Sequence, residues 1–362
     1  MNKEETMTAP GKNEQIDTIL MDKNAIAREI LEDFYSERPA LRDRYRKFNQ
    51  QLLIDILFHM EFLLEAFRVD SIALFDEYIK WCRTFYDQIK IPPQEMILTF
   101  EKIARAVLKR LQQNIRSDIA PYIKRAETLF LEKHSVPPTF IDPENPLKEL
   151  AEKYFNTVVN GNRTEAVKLI MDVVENGLSI QSIYMNVFEP CQKEVGRQWQ
   201  TGKLSVAQEH YFTAVTQLII SQLYPYIFST PRIGKKMVAA CAGGELHEIG
   251  IRMVADLFEI EGWDSLYIGA NTPNSAILST IESERPELVA LSATLLPHVE
   301  IIREIIAEIR KNAGFDFTRI LVGGYPFNVD QNLWKRVNAD GNAKNARDAI
   351  EIAVKPFYRR SE

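Results

Sequence analysis

The chain reads as a multidomain protein of α and α/β class: an all-helical domain, a small helical bundle, then an α/β domain on a parallel sheet. Three observations predict this. The first part has few glycines, and its apolar residues recur three and four positions apart. The last part alternates short apolar runs with helical patterns. After the first domain, residues 134–146 (HSVPPTFIDPENP) hold four prolines in thirteen positions, a stiff extended connector between domains.

Length and composition agree. At 362 residues and roughly 150 residues per domain, two to three domains are expected. A chain 46% hydrophobic and 26% charged is ordinary globular protein. The three cysteines, Cys82, Cys191 and Cys241, form no CxxC pair. That fits neither a disulfide framework nor a structural zinc site, and predicts a reducing, cytoplasmic setting. No apolar run reaches the roughly 18 residues that span a bilayer, and the start MNKEETMTAPGKNEQ lacks the apolar stretch of a secretory signal. No membrane partner is expected. A net charge of −6 argues against a nucleic-acid partner recruited by bulk charge. Five histidines, His59, His134, His210, His247 and His298, are few enough to weigh singly.

Residues 16–135 form the expected helical domain. Leu52, Ile56, His59, Leu63 and Phe67 lie on one stripe, and Leu53, Leu57, Phe58, Met60 and Leu64 fill much of the rest, so this helix is buried on several sides. Pro92-Pro93 marks a break between helices. Residues 37–47 carry Arg38, Arg42, Arg44, Arg46 and Lys47 among Glu37 and Asp43, which reads as a solvated helix face rather than a DNA contact. Residues 147–229 hold about four short helices, punctuated by Asn160-Gly161-Asn162, Gly177 and Gly202, as in a small up-down four-helix bundle. Residues 233–358 carry strands at 237–242, 265–268, 288–292 and 319–322, with helices at about 247–261, 273–284 and 297–312. Strands this apolar belong to a parallel sheet covered on both faces, whose ligands sit at the carboxyl ends of the strands.

The loops at those ends carry Glu245-x-His247-x-x-Gly250, Ser292-Ala-Thr294 and Gly323-Gly324. A loop histidine coordinates a metal through one nitrogen when the other donates to a carboxylate or hydroxyl, and Glu245 and Ser292 are candidates for that partner. Glycines let a large flat or elongated ligand approach the backbone. Singly, a Glu-x-His is usually a solvated turn and a Gly-Gly is common. Together, on successive strand ends, they point to one site.

These elements resemble the base-off, His-on cobalamin-binding domain, a Rossmann-like fold, over about residues 235–355. The family pattern is an acidic residue-x-His-x-x-Gly, a Ser-x-(Leu or Thr) and a Gly-Gly, at similar intervals. The resemblance implies that His247 is the lower axial ligand of cobalt, with Glu245 and Ser292 orienting it. Gly323 and Gly324 would line a channel for the dimethylbenzimidazole tail. Ala339-Asp340-Gly341 resembles the loop closing over that tail. Most of the family has Asp where this chain has Glu245, which keeps the polarity but changes the reach; the light-sensing branch is similar in carrying Glu.

In the bundle, Trp199 is followed after nine residues by Glu209-His210, with Val206 between. An indole stacks or shelters, a carboxylate accepts from ribose hydroxyls, and an imidazole ligates a vacated metal position. Bland readings exist: a core tryptophan and a helix surface. The segment resembles the Trp-x9-Glu-His motif of the cobalamin-dependent photoreceptors, which use adenosylcobalamin. By that resemblance Trp199 and Val206 shelter the adenosyl group, Glu209 hydrogen-bonds it, light cleaves the Co–C bond, and His210 can then ligate cobalt from above and switch the packing.

The first domain is similar in size and pattern to globin-like helical sensor domains. With the cobalamin half it resembles photocobilins, which pair cobalamin with biliverdin. That resemblance implies a non-covalent bilin contacted by His59, with Arg68 or Arg83 at the propionates and Tyr78 and Trp81 nearby. A histidine in a helix apolar on most sides also reads as a satisfied core residue, and Cys82 lacks the context for bilin attachment.

Two functions follow from different classes. One is an adenosylcobalamin light sensor without a recognisable helix-turn-helix. Its output is a light-dependent change of self-association, as dimer or tetramer, or of contact with a separate signalling protein, with no direct nucleic acid. The other is a corrinoid carrier of a methyltransferase system, whose upper face must stay open to a methyl donor and which the Trp-x9-Glu-His cap would obstruct. A mutase subunit is disfavoured because the chain has no substrate barrel. His298 has no role legible in the sequence, and His134 lies in the connector.

Overall fold

A computed structural model of the chain describes residues 11–37, 49–132 and 136–354. It divides into two compact units, Met1–His134 and Ser135–Glu362. The basic stretch at 38–47 and His134 lie outside the described residues.

The described part of the first unit is helical: Lys12–Met21, Lys23–Glu37, Asn49–Arg68, Ile72–Gln88, Pro93–Arg110 and Gln113–Leu131. Helix Asn49–Arg68 is the one read as apolar nearly all round, and it buries Ile56, Met60, Leu63, Leu64 and Phe67. The break at Pro92-Pro93 is present. Pro93 opens the next helix, where a missing N–H costs nothing.

The second unit holds a sheet of five parallel strands in the order β2-β1-β3-β4-β5. They are β1 (Lys236–Cys241), β2 (Asp264–Tyr267), β3 (Leu288–Ser292), β4 (Arg319–Gly323) and β5 (Gly341–Ala343). The order reverses between β1 and β3, and in open α/β sheets ligands bind at the carboxyl ends beside that reversal. On one face Met237, Ala239, Leu288, Ala290 and Leu321 pack on helix Ile249–Ile260, with Ala349 of helix Ala346–Val354.

The bundle consists of Lys148–Val159, Arg163–Glu175, Ile180–Gln200 and Val206–Gln222. The third helix contains a π-turn at Tyr184–Phe188, just ahead of Pro190. Lacking an N–H, Pro190 leaves the Asn186 carbonyl free, and Asn145 Nδ2 donates to it at 2.7 Å.

The bundle and the sheet domain share one apolar core, which joins Phe212, Val215 and Ile219 to Ile249, Met253 and Leu257. Residues 137–145 of the connector lie against the bundle. Glu194 Oε2 accepts from Thr139 Oγ1 at 3.1 Å and Phe140 N at 3.0 Å, which lays this stretch onto the bundle.

Candidate functional site

The loop leaving β1 turns through Gly244, whose φ of +80° suits glycine, and then buries Glu245 completely. An isolated buried carboxylate is costly, and this one has five donors. His247 N at 3.0 Å and His247 Nδ1 at 2.5 Å donate to Oε1. Thr294 N at 2.7 Å, Leu295 N at 3.1 Å and His298 Nδ1 at 2.8 Å donate to Oε2. Burial pushes the Glu245 carboxyl up, but the two imidazoles and the backbone N–H groups outweigh it and hold the group far below the usual carboxylate range. An ionised carboxylate only accepts, so His247 carries its proton on Nδ1 and Nε2 faces outward from a ring 59% exposed. Glu245 raises the proton affinity of His247 against its partial burial, and Glu209 of the bundle adds to the effect.

Among the described residues, no group of three or more His, Cys, Asp or Glu is placed to hold a metal ion. One oriented imidazole is too few ligands for a free transition metal. It suits a metal carried in a macrocycle that needs one axial ligand. Room for the rest of such a group lies along the sheet. Cys241, Ser292, Gly323 and Ala343 pair in register across the carboxyl end, so this row has almost no side-chain bulk. At Gly250, in the first turn of the following helix, an added Cβ would meet open space. The residues fit a corrinoid.

The other predicted residues divide. Thr294 reaches Glu245 through its backbone N–H. The oriented partner of His247 is Glu245; Ser292 joins the loop through its carbonyl, which accepts from Ala242 N at 3.1 Å. Gly323 belongs to the small-residue row. Gly324 is required by the fold itself, since a Cβ there would stand 1.9 Å from the Ala293 carbonyl oxygen. Asp340 and Gly341 are corrected. Asp340 accepts from Ile320 N at 2.7 Å and pairs with Arg310 at 2.6 Å. Gly341 pairs with Leu321. Both therefore stand at the start of β5, where they secure its pairing with β4. His298, given no role from sequence, is a direct partner of Glu245. The signal lay in topology: β1 and β3 are neighbours, so the loop after β3 faces the loop after β1.

On the bundle, a capping box starts helix Val206–Gln222: Ser205 Oγ accepts from Gln208 N, and Gln208 Oε1 accepts from Ser205 N. This fixes the first turn, where Val206 is exposed and His210 has 76% of its side chain in solvent. His210 Nδ1 lies 2.5 Å from Glu209 Oε2, and Thr213 Oγ1 donates to Glu209 Oε1 at 3.0 Å. Trp199 is half-buried at the end of the preceding helix. Two turns after His210, Gln217 Nε2 donates to Glu248 Oε1 at 2.6 Å, which pins this helix to the residue next to His247.

The bilin residues named for the first unit are largely committed to protein partners. His59 is buried, with Nδ1 2.6 Å from Tyr78 Oη and Nε2 3.0 Å from Tyr86 Oη. Burial lowers its pKa to about 3, so the ring is neutral. The reading of His59 as a bilin contact is corrected to that of a satisfied core histidine. Arg68 is corrected as well: it is buried between Glu65 at 3.0 Å and Asp17 at 2.7 Å. Arg83 pairs with Asp87 at 2.8 Å, and Tyr78 stacks on Phe62 with ring centroids 3.9 Å apart. Trp81 stays exposed, stacked on Phe85. The Cys82 thiol is buried, which pushes its pKa up and keeps it a poor nucleophile.

Comparison with known proteins agrees with the sheet-end site. Residues 235–351 match the family model of the B12 binding domain, and residues 150–224 match a second model of the same description. The chain therefore carries B12-binding domains over both the sheet and the bundle. It is 21% identical to monomethylamine corrinoid protein 1 of Methanosarcina acetivorans over 213 residues, 57% of this chain and 97% of that protein. It is 26% identical to the HTH-type transcriptional repressor CarA of Myxococcus xanthus over 149 residues, 41% of this chain and 50% of that protein. The solved monomethylamine corrinoid protein of Methanosarcina barkeri, 18% identical, covers 57% of this chain and 98% of its own, with a TM-score of 0.52 that shows a shared fold. No helix among the described residues is long and apolar enough to cross a membrane.

Proposed function

We propose that the chain is a light sensor that uses adenosylcobalamin held base-off by His247, and that its output is a change in self-association or in contact with a separate signalling protein. The observation that carries this reading is a second exposed imidazole, His210, on a helix pinned by Gln217 and Glu248 to the loop of the first. When bound, the cofactor supplies a Co–C bond that visible light breaks. The small-residue row at the strand ends accommodates the nucleotide tail. Trp199 and Val206 shelter the upper side, and Glu209 serves both His210 and the ribose hydroxyls. His210 is the residue available to the upper position after light. The likeness to a transcriptional repressor supports a signalling role.

A corrinoid methyl carrier is the second reading, favoured by similarity along nearly the whole length of a monomethylamine corrinoid protein. Protein loaded with adenosylcobalamin in the dark and then exposed to green light separates the two. The sensor shows a light-dependent change in elution volume, and a light product whose spectrum changes in His210→Ala. A carrier shows neither.

Biliverdin as a second chromophore in a globin-like first unit belongs to the same proposal, with fewer residues behind it. The exposed Trp81–Phe85 stack is what supports it. Addition of biliverdin without a red-absorbing complex removes that part and leaves the cobalamin part standing.

A further inference from the structure

We infer that His298 is a positioning residue for His247, acting through Glu245 as a buckle between the loops that leave β1 and β3. The inference rests on the cobalamin reading above. Among the described residues, Oε1 of Glu245 is engaged only by the backbone and ring of His247 itself. Those bonds stay within the loop that leaves β1 and do not tie the carboxylate to the β3 side. What anchors it is Oε2, held by two backbone N–H groups of the β3 loop and by one side chain, His298. A glutamate has one more rotatable bond than an aspartate, so holding its carboxylate in one plane takes more donors. His298 supplies the added one from the first turn of helix Pro297–Lys311.

The ring is itself held on both sides of the sheet reversal. Its side chain is only 13% exposed, and Nε2 lies 3.3 Å from where a Cβ on Gly244 would stand, so it packs on the backbone of the β1 loop. His298 thus bridges the β3 side to the two residues from which His247 is hung. Loss of the Nδ1 donor leaves Oε2 to the two backbone N–H groups of the β3 loop, which loosens the plane of the Glu245 carboxylate and with it the single tautomer and fixed direction of His247.

The test has a readout that needs no cofactor. In the unloaded chain at a pH where His247 is neutral, ¹⁵N shifts of its ring report which nitrogen carries the proton. The wild type is expected to show the Nδ1–H tautomer alone, and His298→Phe a mixture. His298→Asn, whose amide places a donor near the Nδ1 position, is expected to restore the wild-type pattern. In chains loaded with cob(II)alamin, the ¹⁴N splitting from the axial imidazole should give way in His298→Phe to a signal without it, the His-off fraction rising about tenfold. His298→Gln, whose amide reaches the Nε2 position instead, is a second loss variant if the phenylalanine fails to fold. A single Nδ1–H tautomer in a folded loss variant overturns the inference, as does a folded His298→Asn that behaves like the loss variants. A wild-type chain that takes up no cobalamin overturns the cofactor reading, while the tautomer result still decides the role of His298.

Discussion

His247 and His210 are presented in the same way from different elements: each has Nδ1 2.5 Å from a glutamate oxygen, and each leaves most of its ring in solvent. Their carboxylates differ. Glu245 is fully buried, while Glu209 has 25% of its side chain exposed and one hydroxyl partner besides His210. The first arrangement suits a permanent ligand and the second a conditional one. Glu245→Gln places an amide against N–H donors and should cost about 2–4 kcal/mol. Glu209→Gln should cost below about 1 kcal/mol. Urea midpoints at constant slope check both.

Glycines in the candidate motifs play different parts, and alanine separates them. Gly324→Ala drives a Cβ into the Ala293 carbonyl at a φ of +102°, so the unloaded chain should lose more than about 4 kcal/mol or fail to fold. Gly250→Ala meets open space in a helix and should be neutral or stabilising by up to about 1 kcal/mol. If a corrinoid lies against that turn, Gly250→Ala should still weaken cobalamin binding. Calorimetric titration with hydroxocobalamin, run beside the melts, reads both effects.

Much of this site was legible in the sequence because it is local. Glu245-x-His247 is a short-range arrangement, and β1, β3 and β4 are continuous apolar runs. What escaped depends on distant pairing. Gly341–Ala343 has no strand propensity and becomes β5 only by pairing with β4. His298 meets Glu245 across 53 positions. His59 is satisfied by Tyr78 and Tyr86, which stand on the next helix. A single apolar helix shows that a histidine is buried and says nothing of what answers its nitrogens.

That neighbourhood makes the first unit acid-sensitive. The His59 pKa, lowered to about 3 by burial, lies below the ordinary histidine value, so its contribution is complete above about pH 6.5 and is lost as pH falls toward 3. The slope in that window approaches about 1.4 kcal/mol per pH unit from this group alone. Hydrogen exchange in helix Ile72–Gln88, followed from pH 7 to 4 in the whole chain, should show opening that grows with acid. His59→Phe should flatten that dependence while lowering stability at pH 7, because the Tyr78 and Tyr86 hydroxyls each lose a partner.

The junction between bundle and sheet domain has the opposite sign. Asp256 of helix Ile249–Ile260 is buried, and Tyr184 Oη, at the start of the π-turn, donates to its Oδ2 at 2.8 Å. Burial raises its pKa to about 6; the Tyr184 bond and Arg252 pull it down, and Glu259 adds to the rise. Arg252 also donates to Tyr224 Oη at 3.3 Å. A folded-state value above the unfolded one means that the stabilising contribution is complete below about pH 3.8 and is lost as pH rises through 6. Ionising Asp256 therefore loosens the contact between helix Ile249–Ile260 and the π-turn within the third bundle helix, at a cost on the order of 2–3 kcal/mol. Asp256→Asn keeps an acceptor for Tyr184 and cannot ionise. It should be more stable than the wild type at pH 7 and equal to it near pH 4. Thermal melts of the two chains across that range are the measurement, and parallel curves would mean that the carboxyl does not titrate at this junction.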